Sequence, residues 1–66
     1  MNIASALKKA KEELKNAGVT SYELDSLVLI CYALSFSKER VIFNPDIILD
    51  EAQLGDFFAL IARRKN

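Results

Sequence analysis

The sequence predicts an all-α fold: a small helical bundle of three long helices plus one short helix. Apolar residues recur at steps of three and four along most of the chain, the spacing of one helix face. Residues suited to helix N-caps, namely Asn2, Thr20, Ser37 and Asp50, stand ahead of those runs. The one β-branched run, Ile47-Ile48-Leu49, has no second strand to pair with and reads as a connector on the core. With 66 residues and a hydrophobic fraction of 52%, the chain has room for one domain and enough apolar side chains to fill it.

The first helix is expected from about Ile3 to Ala17. Ile3, Leu7, Ala10, Leu14 and Ala17 form its apolar stripe, and lysines, glutamates and Asn16 cover the rest. Asn2 is placed to cap it, and Gly18 occupies the left-handed position that commonly ends a helix. For the second helix, Thr20 and Glu23 have the spacing of a capping box, and Val19 and Leu24 that of a hydrophobic staple. Leu24, Leu27, Val28, Cys31 and Leu34 line one side, while Leu29, Ile30 and Tyr32 make the other side apolar as well. A helix apolar nearly all round is central in its bundle or covered by a partner. Its end is expected near Leu34 or Ser35.

Ser37 caps a short third helix over 38–43, and Pro45 prevents its continuation. Asp50 and Gln53 form a second capping box, with Leu49 and Leu54 as its staple. The last helix then runs to about Arg63 and buries Leu54, Phe57, Phe58 and Ile61. Arg63, Arg64 and Lys65 follow at its C-terminal end, where the helix dipole favours cations.

Nine basic and nine acidic residues cancel, so no global field draws the chain to nucleic acid or acidic lipid, and direct binding to either is not expected. Histidine is absent, which removes the commonest general base and metal ligand. Cys31 stands alone, which rules out an internal disulfide and fits a reducing cytoplasm. No apolar run approaches the roughly 20 residues of a membrane span, and the N-terminus does not read as a signal peptide.

Among the polar residues, Asp25-Ser26-Leu27 resembles the tripeptide whose serine carries the phosphopantetheine arm of acyl carrier proteins. Ser26 nevertheless falls more than a turn inside its helix, so it reads as a small residue on a helix surface. Asn44-Pro45-Asp46 reads as a turn after the short helix. The carboxylates form no obvious acid–base pair, and most serve helix solvation, pairing and capping. Asp25 is the exception, early in an apolar helix, where it caps, pairs with a basic residue or faces a partner. No catalytic, cofactor-binding or metal-binding residue is assigned.

Several segments together resemble the N-terminal domain of the HemK/PrmC family, the release-factor glutamine methyltransferases. They are Ala17-Gly18-Val19, Leu24-Asp25-Ser26, the apolar run Val28-Leu29-Ile30, Pro45-Asp46, and Leu60-Ile61-Ala62-Arg63-Arg64. Leu27 stands where the family commonly has Glu, Tyr32 where it often has His, Ser35 where Gly is usual, and Asn44 in place of a frequent His. The apolar pattern survives all four.

The resemblance implies that residues 1–66 form a single helical domain, the N-terminal recognition domain of a larger two-domain methyltransferase. In that family a second, Rossmann-like domain binds S-adenosylmethionine and holds all catalytic and cofactor motifs. The complete enzyme methylates the side-chain amide of the glutamine in the Gly-Gly-Gln motif of peptide-chain release factors. The partners implied are therefore a release factor and the methyltransferase domain, in the cytoplasm. Tyr22, Glu23, Asp25, Arg63 and Arg64 are the expected contact residues, being polar or amphipathic beside apolar helix faces. A free-standing helical adaptor or dimerisation module, and a carrier protein modified at Ser26, are the alternative readings.

Overall fold

Local hydrogen bonding decides where the helices begin and end. In the computed structural model, which describes residues 1–66, the order is α1 (Ile3–Asn16), α2 (Tyr22–Leu34), α3 (Lys38–Phe43) and α4 (Glu51–Lys65). The Asn2 side chain accepts from the Ser5 N–H at 2.8 Å, capping α1 as its position predicts. The next two N–H groups that a helix start leaves without partners are met from elsewhere. Ile3 donates to the Ile47 carbonyl at 3.0 Å and Ala4 to the Pro45 carbonyl at 3.1 Å. Leu49 N–H in turn donates to Met1, so residues 47–49 form a single antiparallel bridge across Asn2 and Ile48. The expectation that this segment finds no pairing partner is thus corrected: it pairs with the N-terminus of the chain.

The α1 C-terminus follows the Schellman pattern. Gly18 N–H donates to Lys15 and Val19 N–H to Leu14, both at 3.0 Å, with Gly18 at φ +85°. Ala17, expected to extend the apolar stripe, is the exposed C-cap instead, and Ala6 joins the core in its place. This termination also explains why the Thr20/Glu23 capping box does not form. Val19 turns in toward the core as part of the α1 ending, so it cannot staple the next helix, and α2 begins one residue late. Ser21 takes the N-cap place without a capping hydrogen bond, and its hydroxyl donates to Asp25 Oδ2 at 2.8 Å.

A second left-handed ending closes α2. Phe36 N–H donates to Cys31 and Ser35 N–H to Tyr32, with Ser35 at φ +55°. A residue with a Cβ is strained there by roughly 1–2 kcal/mol, so Ser35→Gly is expected to stabilise the domain. The greater freedom of glycine when unfolded cancels part of the relief, leaving a net gain of up to about 1 kcal/mol, which chemical denaturation would measure. Ser37 caps α3 through the Arg40 N–H, and the Asp50/Gln53 capping box of α4 is complete, at 2.7 and 2.9 Å. Helix α4 runs two residues beyond the expected Arg63, to Lys65.

The core is built from Ile3, Ala6, Ala10 and Leu14 of α1, Ile30 and Leu34 of α2, Val41 of α3, and Phe57 and Ile61 of α4, closed by Leu49. Helix α2 is central, packing against each of the other three. Of the apolar residues expected on its two sides, Ile30 and Leu34 are buried and Leu27, Leu29 and Cys31 pack against the core, but Ser26 is buried with them while Leu24, Val28 and Tyr32 are exposed. Scoring Ser26 as polar turns the apparent face away from the true one. Leu24, Val28 and Tyr32, at i, i+4 and i+8, consequently form an exposed apolar stripe. No helix is long and apolar enough to cross a membrane.

Candidate functional site

Where α1, α2 and α3 meet, they leave an apolar groove of about 710 Å³. Ile3, Leu7, Leu27 and Val41 are among the residues of its floor, and all four are buried or half-buried. Leu24 and Ile42 stand at its edge, 60% and 53% exposed. Lys8, Lys11 and Lys15 recur at i, i+3 and i+7 on α1 and line one wall together with Glu12. Near the start of α2, Tyr22 and Glu23 complete the lining, with the Lys15 ammonium 5.8 Å from the Tyr22 ring centroid.

The expected contact residues fall in two places. Tyr22 and Glu23 belong to the groove, whereas Asp25 and Arg64 meet at the seam between α2 and α4. Arg64 Nε donates to Asp25 Oδ2 at 2.9 Å, across 39 residues of sequence. Of the roles open to Asp25 in the sequence, pairing with a basic residue is therefore the one realised, with Ser21 as a second donor. One residue further on, Lys65 pairs with Glu13 of α1 at 3.1 Å, so the end of α4 is tied to both neighbouring helices. Arg63 is exposed and takes part in neither ion pair.

Ser26 is fully buried, and its hydroxyl donates to the Tyr22 carbonyl at 2.7 Å. Both sequence readings of this residue are corrected by that position. It is not on the helix surface, and an acyl-carrier arm cannot be attached to an oxygen that no transferase can reach. Cys31 is half-buried on α2, and burial pushes its thiol pKa up, with Glu39 adding to the rise and Lys38 opposing it. A raised pKa leaves little thiolate at neutral pH, the opposite of what a nucleophile needs. Asn44-Pro45-Asp46 serves as a turn: the Asn44 amide donates to the Arg40 carbonyl, and the Pro45 carbonyl accepts from α1.

Sequence reasoning named Tyr22 and Glu23 but missed the groove they line. The three lysines at helical spacing were the available signal, and the intervening Glu12 and Glu13 made that face look merely solvated. The opposing walls come from α2 and α3, which nothing local in α1 reveals.

The sequence profile described as the PrmC N-terminal domain matches residues 5–66. The chain is 37% identical over 65 residues to the Release factor glutamine methyltransferase of Vibrio cholerae serotype O1, covering 98% of this chain and 23% of that protein. It is 34% identical over 58 residues to the enzyme of the same name from Nitratidesulfovibrio vulgaris, covering 88% of this chain and 20% of that one. A Bifunctional methyltransferase of Rickettsia felis is 30% identical over 63 residues, covering 96% of this chain and 12% of that protein. The chain thus spans less than a quarter of the length of each of these curated relatives. No solved structure matches it significantly.

Proposed function

We propose, since the chain belongs to the PrmC N-terminal domain family, that it is the recognition domain of a release-factor glutamine methyltransferase. The observation that carries this reading is the alignment of nearly the whole chain with less than a quarter of enzymes bearing that name. The domain holds a peptide-chain release factor, in the cytoplasm, so that the glutamine of its Gly-Gly-Gln motif meets the methyltransferase domain. Positioning of this kind is a large catalytic term, since a displacement of about 1 Å costs around a hundredfold in rate.

S-adenosylmethionine, the methyl donor of such an enzyme, does not fit the residues present here. Its sulfonium is cationic, and the groove wall carries Lys8, Lys11 and Lys15 against Glu12. The two glycines, Gly18 and Gly55, lie at a helix end and inside α4, and neither makes a strand-to-helix turn that would admit a nucleotide. The cofactor belongs to the second domain.

The contact surface we assign is Tyr22 and Glu23 at the groove, Asp25 and Arg64 at the α2–α4 seam, and the exposed Arg63 next to Arg64 in the chain. The Asp25–Arg64 pair is partly solvated, with side chains 21% and 47% exposed, so it contributes at most about 1 kcal/mol to stability. An Asp25→Ala/Arg64→Ala variant therefore folds, and a change in binding reads out contact rather than unfolding. In the full enzyme its affinity for the release factor is expected to fall by about tenfold or more, equivalent to roughly 1.4 kcal/mol. Unchanged affinity, measured by calorimetry, would remove the seam from the contact surface.

The second reading, a dimerisation module or adaptor, rests on the exposed stripe of Leu24, Val28 and Tyr32. A monomer at all concentrations in sedimentation would exclude the dimer.

A further inference from the structure

We infer that the groove between α1, α2 and α3 is a docking site for an amphipathic helix of a partner protein, one whose carboxylates flank its apolar face. The inference concerns the groove alone and stands whichever protein supplies the helix.

The lining decides the secondary structure of the occupant. All three walls are helices whose backbone groups are largely spent on their own hydrogen bonds. An extended peptide laid on them would bring main-chain N–H and C=O groups into an apolar trough with nothing to pair with, which costs free energy at every residue. A helix arrives with those groups already bonded and offers only side chains. The α1 wall runs from Ile3 to Lys15, a length of roughly 18 Å at the helical rise, room for about three turns.

Charge decides its chemistry. The chain as a whole is neutral, yet the α1 wall carries Lys8, Lys11 and Lys15 against the single carboxylate of Glu12. The two ion pairs of the molecule, Arg64–Asp25 and Lys65–Glu13, leave Lys8 and Lys11 without a partner. An occupant with carboxylates along the edge facing α1 meets that excess. A cation at the end facing Glu23 would complement the opposite corner and fix the direction of the helix. A second copy of this chain fits less well: a two-fold interface places the same patch on both sides, repeating the lysine excess.

The test titrates the 15N-labelled chain with a designed peptide of about 14 residues, roughly four turns. Leucines sit at i, i+3, i+4 and i+7, with glutamates on the flanks. A second peptide carries lysine at every glutamate position. The expected result is shifts at Leu7, Lys8, Lys11, Leu24, Leu27 and Ile42, with at least about tenfold tighter binding of the acidic peptide. Lys8→Glu/Lys11→Glu, which inverts the charge of an exposed and a half-buried lysine on the α1 wall of the groove, is expected to reverse that preference, which a loss of folding would not do. Equal affinity for the two peptides would overturn the inference. So would shifts confined to the α2–α4 side, or self-association that blocks the groove at working concentration.

Discussion

Replacing Phe57 with alanine is expected to leave a domain with no cooperative thermal transition at 37 °C. Phe57 has the largest side chain buried without any solvent contact, and its ring lies 5.0 Å from that of Phe58 at an interplanar angle of 52°. Removing a buried phenylalanine costs about 3–5 kcal/mol through lost transfer energy and the cavity left behind. The tilted aromatic pair adds about 0.5–1.5 kcal/mol that no aliphatic replacement restores. Against this, a chain of this length has a total stability of roughly 3–10 kcal/mol. Each kcal/mol moves the midpoint by about 4–8 °C in a domain this small. A drop of less than about 5 °C would mean that α4 is held mainly by its capping box and ion pairs. Phe57→Leu, which keeps most of the volume, is expected to fold with a loss of about 1–2 kcal/mol, separating the contribution of packing from that of mere hydrophobicity.

The importance of Phe57 was legible because α4 is described by local chemistry. Asp50 and Gln53 state where it starts, and the helical spacing of Leu54, Phe57, Phe58 and Ile61 states which side is inward. The same is true of Asn2 before α1 and Ser37 before α3, where one side chain and one N–H three residues later settle the boundary. At the start of α2, which lies one residue later than expected, two local motifs compete for a residue. Val19 can staple α2 or complete the ending of α1, and in the fold its N–H goes to the Leu14 carbonyl while its side chain packs against the core. Non-local pairing was equally hidden. The three residues before Asp50 read as a connector with nothing to pair with because their hydrogen-bond partner is the N-terminus, more than 40 residues away. Of the candidate surface, Asp25 and Arg64 were each picked out singly, but only the fold brings them to 2.9 Å. The groove is less legible still, since three helices must be placed before it exists.

Ser26 shows most sharply how polarity misled, and it carries the second large prediction. Within Leu24-Asp25-Ser26-Leu27 the serine looks like the outward residue and the leucines like the inward ones. In the fold Ser26 has no exposed surface while Leu24 is 60% exposed. Ser26 sits at a fully buried point of the central helix, where a small side chain fits, and its hydroxyl is satisfied within its own helix by the Tyr22 carbonyl. Two substitutions follow with opposite expectations. Ser26→Ala removes a hydrogen bond but leaves no partner stranded among side chains, and it improves helix propensity by a few tenths of a kcal/mol. Its stability should stay within about 1 kcal/mol of the parent chain. Ser26→Leu adds two carbons and exchanges the oxygen for a third where nothing is open, forcing α2 outward at a cost of about 1–3 kcal/mol, or more where the neighbours cannot yield. If α2 is displaced, the groove it shares with α1 widens, so the acidic peptide should bind Ser26→Leu more weakly than Ser26→Ala. Equal stability of the two variants would show that the site tolerates bulk and that small size is not what selects serine there.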